Sequence, residues 1–229
     1  QVGGDFVERE AFQEIDYRRM FGEMAKWVAQ IDRADRIPEY VARAYQVATS
    51  GRMGPVVLAL PEDMLVATTT AADARAWQRV EIAPGEQQMM RLSAMLLAAE
   101  RPMVIAGGSG WDAEACDNLR SFSETQQIPV ACAFRFQDLF DNSHPFYAGD
   151  VGIGINPALA ARIRAADLLI ALGPRLGEMS TGGYTLINAP VPAQKLVHIH
   201  AGSGELGRVY QADLMINATM PAMARMLAA

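Results

Sequence analysis

Short unbroken apolar runs alternate along the chain with longer stretches in which apolar residues recur every three or four positions. The first pattern belongs to strands covered on both faces, the second to helices with one buried stripe. The pair Pro38–Thr49 and Val56–Leu60 sets the register for the rest. Val41, Ala44, Tyr45 and Ala48 share a helical face, Ser50-Gly51 ends the helix, and Pro61 stops the strand. Upstream, Gln1–Glu10 is polar and irregular, Ala11–Met24 has mixed helical character, and Ala25–Ile31 reads as a short strand. Asp35 is the expected N-cap of the helix that ends at Thr49.

Beyond Glu86 the alternation becomes regular. Helices are predicted over Glu86–Ala99, with Met89, Leu92, Leu96 and Leu97 inward, and over Asp112–Gln127, with Ala115, Leu119 and Phe122 inward. Two more are predicted over Asn156–Ala166, capped by Asn156 with Pro157 at its first position, and over Met220–Leu227. A short helix is expected from Glu205. Strands are predicted at Met103–Ala106, Pro129–Ala133, Leu168–Leu172, Lys195–Ile199 and Leu214–Ala218. Strands alternating with helices imply right-handed crossovers and an α/β fold, a Rossmann-like doubly wound parallel sheet. It is preceded by a shorter stretch of helix and strand, residues 1–65. Residues 66–85 carry Thr68-Thr69-Thr70, several alanines and Pro84-Gly85, and read as a linker between domain 1–65 and domain 86–229.

Composition narrows the function classes. A hydrophobic content of 51% supports a true core, and no apolar run approaches the ~18 residues of a membrane span. A net charge of −6, scattered along the chain, argues against nucleic acid or an anionic membrane as partner. The two cysteines, Cys116 and Cys132, fall inside a helix and a strand and read as small apolar residues, which fits a reducing cytoplasm.

Three groups of residues could carry chemistry. Gly107-Gly108-Ser109-Gly110 follows a predicted strand, and Gly108, Gly110 and Ala113 satisfy the G-x-G-x-x-G/A spacing. Such a turn lets backbone approach a pyrophosphate at a helix N-terminus; tight strand-to-helix packing explains the same letters. The acid that would hold a ribose is replaced by Arg135, with Asp138 a little later. Gly173-Pro174-Arg175 follows another strand, where Arg175 could clamp a phosphate or pair with a carboxylate such as Glu178. His198 and His200 share one side of a strand and could begin a zinc site with His144, or be ordinary hydrogen-bonded histidines. The loop Met179–Tyr184 lies beside Arg175 in sequence and could close over a ligand or simply connect two elements.

The segment TSGRMGPVVLALPEDM resembles the end of the pyrimidine-binding domain of thiamine-diphosphate enzymes of the acetolactate synthase type, which commonly run ATSGRPGPV into an apolar strand. Met53 stands where proline is usual. Ala11-Phe12-Gln13-Glu14 is similar to that group's AFQE segment, and the resemblance implies that Phe12 and Gln13 border the substrate end of the thiamine site. Arg101–Gly110, Ile128-Pro129-Val130, Leu168–Arg175 and Val197–Arg208 resemble successive parts of the family's central domain. In flavin-carrying members that domain holds FAD, and the matching positions are Gly107, Gly108, Gly173, Arg175 and Glu205, with Gly110 added by the fingerprint. Flavin binders follow Gly-x-Arg with FDDR, whereas this chain has Leu176-Gly177-Glu178-Met179. A late aspartate becomes Ala218 or Thr219, and the acids of a DIDS stretch become His200, Ala201 and Gly202. These departures weigh against FAD and leave an empty nucleotide fold as an equal alternative.

The resemblance further implies part of a larger 2-keto acid decarboxylase or carboligase, a homodimer or homotetramer. Its ring-activating glutamate is expected upstream of Gln1 and its diphosphate–magnesium motif downstream of Ala229. Gly149-Asp150-Val151-Gly152 has only a superficial likeness to that motif. Thiamine diphosphate and magnesium are then cofactors of the full-length enzyme, with no catalytic residue or metal ligand in this chain. The alternative is a nucleotide-binding or purely structural dimerisation module.

Overall fold

The computed structural model describes residues 1–229 as two compact units, Gln1–Val80 and Glu81–Ala229. The division falls inside the stretch read as a linker. Its last residues belong to the second unit: Pro84 is buried, and Ile82 exchanges backbone and side-chain hydrogen bonds with Thr219.

The first unit contains α1 (Tyr17–Phe21), β1 (Trp27–Gln30), α2 (Ile37–Thr49), β2 (Val56–Ala59) and α3 (Glu62–Val66). β1 and β2 pair in parallel from Trp27↔Val56 to Gln30↔Ala59. Helix α1 is shorter than the helical character of Ala11–Met24 suggests. Glu8, Glu10 and Gln13 adopt positive φ, which breaks any helix before the Asp16 cap. Asp35 does not cap α2; it pairs with Arg33 in a preceding 3₁₀ turn, and Arg36 takes the cap position. The apolar face of α2 is only partly covered, with Ala44 and Ala48 half-buried. Val41 and Tyr45 are 39% and 58% exposed, while Tyr40 stacks on Trp27 with ring centroids 5.8 Å apart. Lys26 closes the far end of α2 by donating to the carbonyls of Val47 and Ser50.

The second unit is a six-stranded, wholly parallel sheet. Its elements are α4 (Glu86–Ala98), β3 (Pro102–Ala106), α5 (Ala113–Gln126), β4 (Val130–Ala133), β5 (Tyr147–Val151), α6 (Pro157–Ala165), β6 (Leu168–Leu172), β7 (Lys195–His200), β8 (Leu214–Asn217) and α7 (Met220–Ala228). The spatial order is β5-β4-β3-β6-β7-β8. Counted from β3 this is the 3-2-1-4-5-6 order of dinucleotide-binding sheets, with the topological switch between β3 and β6.

Period-two geometry divides the strand residues between two cores. Leu168, Ile170 and Leu172 face one layer, with Leu92 of α4, Leu119 and Phe122 of α5, and Met220 and Met223 of α7. Leu169 and Ala171 face the other, with Leu159 and Ile163 of α6 and the residues Leu176, Leu186 and Tyr210. This covering of both faces explains why the strands read as unbroken apolar runs.

Three local expectations differ from the structure. Leu97 is 89% exposed, because the stripe of α4 centres on Leu92. The short helix from Glu205 is a 3₁₀ turn, Ser203–Glu205, that ends there; Gly207 at φ 74° follows and redirects the chain. Strand β5 has no counterpart among the strands that the apolar runs predict. It is an edge strand of sequence YAGDV, with Gly149 at φ 119° and a register shift against Val130/Ala131, so it carries no apolar run.

Candidate functional site at the carboxyl ends of the strands

In open α/β sheets ligands gather outside the carboxyl ends of the strands, at the switch point. Here that place lies where the turn after β3 meets the turn after β6. Gly107 N donates to Leu172 O at 3.1 Å and Gly173 N to Ile199 O at 2.9 Å, so both turns leave the sheet still in register.

The glycines of these turns are filled by protein. A Cβ on Gly108 (φ 74°) would overlap Gly173 O and stand 2.7 Å from Gly173 C. One on Gly173 (φ 89°) would overlap Gly107 O and stand 2.6 Å from Met220 Sδ. One on Gly107 would meet Ala133 Cβ at 2.7 Å and Pro174 Cβ at 2.9 Å. Crossing of two backbones therefore accounts for Gly107, Gly108 and Gly173 without any ligand. Trp111 donates its indole N–H to Gly107 O at 2.8 Å and packs against the core. The N-terminus of α5 is occupied as well: Asp112 caps it, its Oδ1 accepting from Ala115 N at 2.8 Å. An aspartate there offers negative charge where a pyrophosphate would need free N–H donors. Gly110, at φ 93°, completes the turn. The residues present do not fit the pyrophosphate of FAD at this turn.

Arg175, just beyond β6, pairs with a carboxylate, but Glu205 takes the role rather than Glu178. Its Nε lies 3.2 Å from Glu205 Oε2, and Arg208 Nη1 lies 3.4 Å from Glu205 Oε1. The Glu205 side chain is 6% exposed, those of Arg175 and Arg208 46% and 55%. One buried acid thus holds two half-exposed guanidinium groups.

His198 and His200 lie on the same side of β7, ring centroids 6.3 Å apart. Burial drives the His198 pKa below its ordinary value, against a hydrogen bond that opposes the shift, so the ring is neutral. Its Nε2 donates to Pro174 O at 3.1 Å, and Gly202 N donates to His200 Nδ1 at 2.9 Å. His144 precedes β5 at the opposite edge of the sheet and pairs with Glu124 at 3.0 Å. No group of three or more His, Cys, Asp or Glu side chains comes together to hold a metal. Asp150, inside β5, accepts from Gln137 Nε2 at 2.8 Å. Gly149–Gly152 forms the end of the edge strand β5 and the residue after it. Burial raises both thiols, Cys132 to about 12, so both stay protonated at neutral pH.

Phe12 and Gln13 lie in the first unit, away in sequence from the other candidates. Phe12 sits at the tip of a turn and is 89% exposed; Gln13 has φ 62°. Glu14 holds the turn, its carboxylate accepting from Glu8 N and Ala11 N. The second unit brings together Gly107, Gly108 and Gly173, and separately Arg175 and Glu205. It adds Arg208 and Tyr184, the last residues of the stretches Val197–Arg208 and Met179–Tyr184, and Tyr210, which no motif marks. The loop Met179–Tyr184 opens with a 3₁₀ turn, Met179–Thr181, whose Thr181 hydroxyl donates to Gly177 O and accepts from Tyr184 N.

No helix is long and apolar enough to cross a membrane. Residues 89–227 match the family model described as thiamine pyrophosphate enzyme, central domain. The chain is 28% identical over 230 residues to the acetolactate synthase isozyme 2 large subunit of Escherichia coli strain K12, covering 97% of this chain and 41% of that protein. It is 30% identical over 224 residues to a probable acetolactate synthase large subunit of Methanocaldococcus jannaschii, covering 94% and 37%. Against the glyoxylate carboligase of Escherichia coli O157:H7 the identity is 28% over 214 residues, covering 92% and 35%. The chain thus spans between a third and about two fifths of the length of these curated relatives.

Proposed function

Because this chain belongs to the thiamine pyrophosphate enzyme family, through that family's central domain, we propose that it forms the middle of a thiamine-diphosphate-dependent enzyme acting on 2-keto acids. The parent decarboxylates such an acid or joins its acyl fragment to a second carbonyl compound, as the names of its relatives suggest. The observation that carries this reading is the match to the central-domain model over residues 89–227. Thiamine diphosphate, when bound, supplies the electron sink for the keto carbon. The residues that hold it and its magnesium are proposed to lie outside these 229 residues. Inside them, the second unit is a structural layer, and Phe12 and Gln13 contribute an exposed apolar and polar edge to the substrate end of the site.

A nucleotide-binding module is the second reading, and the 3-2-1-4-5-6 strand order favours it. Against it stand the backbone crossing at Gly108 and Gly173 and the Asp112 cap. Gly107, Gly108, Gly110, Gly173, Arg175 and Glu205 are therefore proposed to serve packing and an internal ion pair in place of flavin binding.

The test is carbon dioxide release and product formation from pyruvate and from glyoxylate by the protein of full natural length, with and without thiamine diphosphate and magnesium. Cofactor-dependent turnover of either acid is expected, with residues 1–229 alone giving no release above the blank. Full-length protein that turns over neither acid, or turnover by residues 1–229, overturns the proposal.

A further inference from the structure

Residues 67–80 form no helix or strand, and nearly all of them are exposed. Trp77 is the one large apolar side chain between Val66 and Val80, in a stretch of alanine, threonine and charged residues. It is 37% exposed, against 81% for Val66 and 59% for Val80. Its ring lies 6.4 Å from the ring of Tyr45, centroid to centroid, with the two planes 31° apart. We infer that Trp77 clasps the linker onto α2, and that this clasp sets how much of the linker is a free tether. The inference goes beyond the catalytic reading and stands whether or not the parent enzyme acts on 2-keto acids.

The attraction is aromatic and apolar. Val41 and Tyr45, at 39% and 58% exposed, give α2 an apolar surface that the linker approaches. Ring pairs with centroids roughly 4.5–7 Å apart attract each other beyond the apolar area they cover.

The clasp is a point contact. Pro38, Val41 and Tyr45 face Asp73, Arg75 and Trp77 across a groove of about 480 Å³. A packed interior leaves few voids larger than a water molecule, so the rest of the linker stands off from the helix. No hydrogen bond or ion pair ties residues 72–78 to α2. The linker therefore rests on one seated side chain, and removing that side chain should free all of it.

Both ends of the linker are fixed. At the first unit, Ala67 N donates to Asp63 O at 3.1 Å and closes α3. At the second, Glu81 pairs with Arg225, and Thr219 N donates to Ile82 O at 2.9 Å. Without the clasp the free segment is residues 68–80; with it, residues 78–80 at most. An extended chain spans about 3.3–3.6 Å per residue, so the reach of the free segment falls from roughly 45 Å to roughly 10 Å.

The test is limited trypsin proteolysis of the protein of full natural length, with cleavage after Arg75 followed by mass spectrometry. Cutting of a segment that must first open tracks the population of its open form. Tyr45→Ala leaves the cleaved sequence unaltered and removes one ring; Trp77→Ala removes the other. Each should be cut faster than the parent by a factor on the order of ten, with cooperative unfolding retained. Trp77→Phe, which keeps a ring, should fall between. Val80→Ala, outside the clasp, should be cut at the parent's rate. The inference is overturned if folded Tyr45→Ala or Trp77→Ala is cut no faster than the parent, or if Val80→Ala accelerates cleavage as much as they do. Failure of the catalytic reading would show in carbon dioxide release and leave these rates unchanged.

Discussion

Replacing Gly108 by alanine should destabilise the second unit by at least about 4 kcal/mol, a loss reserved for severe backbone or packing faults. Two costs combine. A left-handed backbone charges an L-residue roughly 1–2 kcal/mol. The new methyl would also overlap Gly173 O, a backbone atom that cannot rotate away, at the junction of β3 and β6. Relief requires the central strand pair to part, which disturbs Gly107 N→Leu172 O and the ladder behind it. Gly154 provides the control. It has the same φ of 74° and nothing within 4 Å of an added methyl. Gly154→Ala should therefore cost only about 1–2 kcal/mol. The difference in melting temperature between the two variants isolates the crossing from the conformational strain. It should be on the order of 10 °C for a unit of this size. Equal melting temperatures would mean that the two turns are not in contact.

A cut into the sheet centre should have the next largest effect. Ile170 is fully buried in β6 and pairs with Val104 of β3 on one side and Val197 of β7 on the other. Its side chain points into the layer that holds Leu119, Phe122 and Met223. Ile170→Ala removes three carbons from a place where neighbours on two strands and two helices restrict collapse. The expected loss is about 2–5 kcal/mol, read as a lower denaturant midpoint with the slope unchanged. A variant within about 0.5 kcal/mol of the parent would contradict the placement of β6 at the middle of the sheet. Each loss is a large fraction of the roughly 5–15 kcal/mol that holds such a domain folded.

Much of this architecture is legible in the letters. Leu168–Leu172 and Met103–Ala106 are apolar without interruption because helices cover both sides of the strands they form. Asn156 with Pro157 marks a helix start whose chemistry is local, and the Asn156 side chain does accept from Ala158 N. Features set by partners distant in sequence are not legible. β5 pairs only on one side and contains Gly149 and Asp150, so no apolar pattern announces it. The contacts of α2 extend beyond its own apolar spacing because Trp27, far upstream, recruits Tyr40 and Arg43 through ring contacts.

The site divides in the same way. The G-x-G-x-x-A spacing is visible in the sequence, but its cause is not: the atoms that fill the turn come from Gly173 and Met220, many residues later. Arg175 is visible as a cation in search of a carboxylate. Glu205 rather than the nearby Glu178 answers it, because the turn Ser203–Glu205 after β7 brings that acid into the interior beside Arg208. Tyr210 carries no signal at all, since nothing in its local sequence shows that its ring is buried with Leu176 and Leu186 in the core.

If the turn between β3 and α5 is shut by the chain's own atoms, it does not cradle a flavin nucleotide. Equilibrium dialysis of residues 1–229 against FAD, read by the visible flavin absorbance retained with the protein, decides the matter. No flavin should be retained beyond the dialysate level. Retention approaching one flavin per chain, lost in Gly108→Ala protein that remains folded, would show instead that the turn is open and holds the nucleotide.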